Sequence, residues 1–82
     1  METLKTIKLS YSISLNGVEY KELKMRRSKV RDRLAVIKMG GSDEEREIRL
    51  IANLCEVTPE VIEELFEKDY QKLQQEYLDF LK

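Results

Sequence analysis

The sequence has no histidine and no tryptophan, and only one cysteine, one proline and three glycines in 82 residues. Without histidine it lacks both the commonest metal ligand and the usual proton carrier near neutral pH. A single cysteine excludes an internal disulfide, and Cys55 falls on the apolar face of a helical segment, where a small core hydrophobe is the expected role. No acidic cluster has metal-loop spacing, and the serines fall on a strand's polar face or at helix starts, away from any base. Neither catalysis nor a cofactor is therefore expected. The longest apolar run is a few residues, so no signal peptide or membrane span is expected, and the chain reads as soluble and cytoplasmic. Its length allows one domain with a small core.

Charge is plentiful but unevenly placed. Residues 1–39 carry ten Lys or Arg against four acids, a net of +6, whereas residues 40–82 carry five against twelve, a net of −7. A chain so divided can pair its halves internally, stack on itself, or offer each half to a different partner.

Residues 6–15 alternate, with Ile7, Leu9, Tyr11, Ile13 and Leu15 on one face, which predicts a half-buried strand. Asn16-Gly17 supplies the residues of a type I′ turn, so Leu15 should face Val18 and Ile13 should face Tyr20. In the second strand Val18 and Tyr20 are even-numbered while Leu23 and Met25 are odd. A one-residue bulge near Lys21-Glu22 would restore all four to one face, bringing Leu23 near Tyr11 and Met25 near Leu9. A bare hairpin is marginal in water, so helices must cover its apolar face.

Four helices are expected after it. Ser28 is the expected N-cap of the first, residues 29–39, with Val30, Leu34 and Ile37 as its core stripe and Val36 and Met39 pointing elsewhere; Gly40-Gly41 ends it. The second, residues 43–56, opens with the capping box Ser42/Glu45 and carries so wide an apolar arc that it should be the central helix. Thr58 and Pro59 start the third, residues 59–67, with Val61, Ile62, Leu65 and Phe66 inward and Glu60, Glu63, Glu64 and Glu67 outward. Asp69 is the expected N-cap of the last, residues 69–81. There Tyr70, Leu73, Tyr77, Phe80 and Leu81 form one stripe, which suits either a lid over the hairpin or a docking face, and Leu78 lies outside it. The fold class is α+β: an N-terminal hairpin at about residues 4–26 and three to four helices at about 28–82, a single small domain over residues 1–82.

The second and third helices imitate a DNA-reading helix-turn-helix, but four glutamates against one lysine would repel phosphate at the reading face. The basic run Lys21, Lys24, Arg26, Arg27, Lys29, Arg31 and Arg33 scatters over several faces and has no interleaved aromatics for base stacking. No specific nucleic-acid binding is expected.

The ordered combination of segments resembles a family. Asn16-Gly17, Glu22 to Arg27, Lys29 to Asp32, Gly40-Gly41-Ser42, Ile51 to Cys55, Val57 to Glu60, Asp69-Tyr70 and Leu73-Gln74 are together similar to the small tail assembly chaperones of Mu-like phages and prophages. Ser28 stands where that pattern leads us to expect proline after two arginines, and serine still suits a helix start. The resemblance implies a non-catalytic protein in the bacterial host cytoplasm. It would hold the tape measure protein in an assembly-competent state while tail tube protein polymerises, and be absent from the finished particle. A longer form made by ribosomal frameshifting and contact with the tail tube protein belong to the same expectation, while self-association is expected from the divided charge. Partner binding is expected at Tyr70, Leu73, Tyr77, Leu78, Phe80 and Leu81, and secondarily at Val36 and Met39. The competing readings are a small nucleic-acid-binding regulator and a structural tail subunit.

Overall fold

Alternation of apolar and polar residues produces β1 (Lys5–Leu15), and positive φ at Asn16 (51°) and Gly17 (79°) returns the chain as β2 (Val18–Met25). The computed structural model describes residues 4–82, so the first three positions of the expected domain lie outside the described residues. Leu15 pairs with Val18 and Ile13 with Tyr20, the register the turn dictates.

Further from the turn the register differs from expectation. Lys8 pairs with Glu22 and Ile7 with Leu23, so residues 9–12 of β1 span the distance that Lys21 alone spans in β2. The irregularity therefore lies in β1, not at Lys21-Glu22, and Leu23 sits opposite Ile7 rather than near Tyr11, with Met25 opposite Lys5 rather than near Leu9. The parity change is the one the sequence demanded, because an odd number of extra residues on either strand turns Leu23 and Met25 inward, where both are buried. What favours β1 is a partner for its loosened backbone. Asp69 accepts from the Ser10 N–H at 2.8 Å and the Tyr11 N–H at 3.2 Å.

Four helices follow: α1 (Val30–Met39), α2 (Asp43–Cys55), α3 (Pro59–Glu63) and α4 (Glu67–Phe80), making the fold α+β. The start of α2 is the capping box read in the sequence: the Ser42 Oγ accepts from the Glu45 N–H and Glu45 accepts from the Ser42 N–H. Its end falls at Glu56, which takes the left-handed conformation at φ 57° although glycine would do so more easily. α2 is central: Ile51, Ala52, Leu54 and Cys55 are buried against Ile7, Ile13, Leu23 and Met25 of the hairpin and Val61, Ile62, Leu65 and Leu73 of the later segments. The Arg26 N–H donates to the Leu54 carbonyl at 3.0 Å, tying the end of the hairpin to the end of α2.

Three expectations are corrected. α3 stops at Glu63 and α4 begins at Glu67, so Asp69 is not an N-cap but lies within the first turn of α4, and Phe66 takes the cap position and is exposed. At α1 the cap position belongs to Lys29 rather than Ser28. The core stripe of α1 is also reversed. Val30, Leu34 and Ile37 are 78, 51 and 53 % exposed, while Val36 is 3 % exposed. The cause is polar: Asp32, one turn before Val36 on the same face, forks onto the Arg26 guanidinium with two bonds of 2.9 Å and accepts from the Lys29 N–H at 2.8 Å. That clamp turns the Asp32/Val36 face inward and Val30, Leu34 and Ile37 outward.

Candidate functional site

The buried polar groups hold the fold together. Every buried side-chain nitrogen or oxygen among the described residues has a hydrogen-bond partner. Desolvation alone would raise the pKa of fully buried Asp69; the Ser10 and Tyr11 N–H groups and Lys72 outweigh it and hold the carboxyl below its usual range. Lys72 Nζ lies 3.3 Å from that carboxylate and donates to the Ser10 Oγ at 2.7 Å, closing the network around the bulge. Hydrogen bonds from Arg26 bring Asp32 down to about 2. Burial pushes the Cys55 thiol up to about 12, so it stays protonated. Among the described residues, no three Cys, Asp or Glu side chains gather where they could hold a metal ion.

The residues expected to bind a partner divide between interior and surface. Leu73 and Val36 are buried. Tyr70, Tyr77 and Phe80 are half-buried, Phe80 lying under the Arg27 guanidinium at 5.5 Å. Leu78, Leu81 and Met39 are exposed. The α4 stripe thus has a core member at Leu73 and an outer edge at Leu78 and Leu81. A shallow cavity lined by Val30, Arg33, Tyr77 and Leu81 brings the start of α1 beside the end of α4. Sequence reasoning missed Val30, Leu34 and Ile37 as surface residues. The available signal was the basic flank, Lys29, Arg31, Arg33 and Lys38, which leaves that stripe few neutral neighbours.

A second surface is an open groove of about 300 Å³ among α2, α3 and α4, with Ile48, Ile62, Leu65 and Tyr70 below and Glu44, Glu47, Glu63 and Glu67 around it. The Tyr70 hydroxyl donates to Glu47 at 2.8 Å, and the Gln74 amide donates to the same oxygen at 2.6 Å. Burial, then that bond, pushes the Tyr70 pKa well above its ordinary value. The helix-turn-helix resemblance of α2 and α3 ends here: α3 is five residues long, buries Val61 and Ile62, and turns Glu60 and Glu63 to solvent.

By fold the chain is a small α+β domain, a two-stranded hairpin covered by helices. It belongs to the phage tail assembly chaperone family: the family model described as "Phage tail assembly chaperone proteins, E, or 41 or 14" matches residues 6–82. No curated protein and no solved structure matches the chain. No helix of the described residues is long and apolar enough to cross a membrane.

Proposed function

We propose that this protein is a non-catalytic chaperone of phage or prophage tail assembly, active in the host cytoplasm, that binds the tape measure protein and keeps it available while the tail tube forms. The observation that carries this reading is the family match over residues 6–82. The exposed apolar edge of α4, Leu78 and Leu81, with Tyr77 beside it, supports it, since such an edge suits an amphipathic helix of a long helical partner.

Co-expression with the tape measure protein of the same phage or prophage, followed by a pull-down, tests the reading. The expected result is co-purification of the two, with this chain absent from purified particles by mass spectrometry. Leu78→Ser with Leu81→Ser should leave the circular dichroism unchanged and lower recovery of the tape measure protein at least tenfold. Failure of the wild-type pair to co-purify would overturn the proposal, and recovery of the chain from particles would favour a structural subunit.

A further inference from the structure

Half-buried Tyr77 lines three adjoining hollows of the surface. The first, about 270 Å³, is lined by Val30 and Arg33 of α1 and Leu81 of α4. The second, about 280 Å³, is lined by Val36 and Ile37 of α1 and Leu50 of α2, and the third has Leu78 of α4 on its wall. The second shares Arg33 with the first and Glu47 with the third, so the three form one trough between α1 and α4. The exposed edge of α4 is thus one wall of a site whose other wall is α1. Val30 and Ile37, turned outward at i, i+7 spacing, put apolar contacts along about 10.5 Å of that wall, two helical turns.

Charge along the trough is uneven. Lys29 and Arg33 line its Leu81 end, exposed and without an ion pair among the described residues. The acids that line the rest are engaged within the chain: Asp43 pairs with Arg46, and Glu47 accepts from the Tyr70 hydroxyl and the Gln74 amide. A concave apolar surface suits a convex occupant with an apolar ridge, which a helix is and a flat bilayer is not. Building on the reading that the chain binds a long helical partner, we propose that the α1/α4 trough seats one acidic amphipathic helix of that partner. Its apolar ridge lies against Val30, Ile37, Tyr77, Leu78 and Leu81, and its carboxylates lie over Lys29 and Arg33. Apolar contact supplies area, and the cationic end fixes which way the helix lies.

Two synthetic peptides of about 18 residues, long enough to be helical once bound, test the site without the tape measure protein. Both repeat leucine at i, i+3, i+4 and i+7, one with glutamate and the other with lysine beside the leucines. By fluorescence anisotropy the glutamate peptide should bind at least tenfold more tightly, with amide shifts of the chain centred on Val30, Ile37 and Tyr77, and added salt should narrow the difference. Lys29→Glu with Arg33→Glu, folded by circular dichroism, should reverse the preference. Val30→Ser with Ile37→Ser, equally folded, should lower both the affinity for the glutamate peptide and the recovery of the tape measure protein about tenfold. Equal binding of the two peptides, shifts confined to another face, or unchanged affinity in the Val30/Ile37 double variant overturns the proposal. A double variant that sediments differently from the wild-type chain alone would give the trough to a second copy, and one that loses binding to phosphatidylglycerol vesicles would give it to a membrane; either result overturns it too. A double variant that recovers the tape measure protein as well as the wild type overturns the site and leaves the proposed function standing. Failure of the wild type to recover it overturns that function, and the peptides still decide the site.

Discussion

Asp69 shows how one residue can hold together parts of the chain far apart in sequence. It is fully buried and accepts backbone hydrogen bonds from Ser10 and Tyr11, 59 and 58 residues away. Asp69→Ala should leave two N–H groups without an acceptor and destabilise the domain by about 2–4 kcal/mol, measured by urea unfolding, with amide exchange accelerated first at Ser10 and Tyr11. Asp69 and Asp32 both have pKa values lower in the folded chain than in the unfolded one. The unfolded state therefore takes up protons first as the solution is acidified, and the stability these groups supply is complete above about pH 4 and lost as pH falls through their folded values. For Asp32, held at about 2 against an ordinary 3.8, that contribution is on the order of 2 kcal/mol. Asp32→Asn should flatten the decline in stability between pH 4 and pH 2, which acid titration of thermal unfolding would register.

Among the elements, the turn and the capping box were legible in the sequence, whereas the caps expected at Ser28 and Asp69 and the features defined by tertiary partners were not. The β1–β2 turn, the Ser42/Glu45 box and the central place of α2 followed from Asn16-Gly17, from an i, i+3 pair and from a wide apolar arc. The site of the bulge did not, because either strand could absorb the parity change and only a carboxylate arriving from α4 decides between them. α1 was misread for a similar reason: Val30, Leu34 and Ile37 outnumber Val36, yet the Arg26–Asp32 fork selects the face with fewer apolar residues. Hydrophobic periodicity says which residues share a face, not which face is docked. Of the expected partner-binding set, the structure exposes Leu78, which lies outside the α4 stripe, and Leu81 at the stripe's end, whereas Leu73 at its centre is core. Thermal unfolding separates the two faces of α1. Val36→Ala should lower stability by about 2 kcal/mol, while Leu34→Ser should change it by no more than about 0.5 kcal/mol.

At the scale of the whole molecule, charge separates what this domain attracts from what it repels. The acidic outer side of α3 sits where a reading helix would meet phosphate, and the exposed cations of α1 lie among apolar side chains rather than along one basic track. Anisotropy titrations with duplex DNA should give at most weak binding that disappears with added salt and does not vary with sequence; tight, sequence-dependent binding would restore the regulator reading. The tie between β1 and α4 also bears on the order of events at the ribosome. Because the acceptor for the Ser10 and Tyr11 donors is Asp69, the part of the first strand beyond the bulge cannot settle its register while the last helix is still inside the exit tunnel. A nascent chain stalled before residue 69 should hold a hairpin that shifts between pairings and is open to protease, and release of α4 should protect strand and helix together.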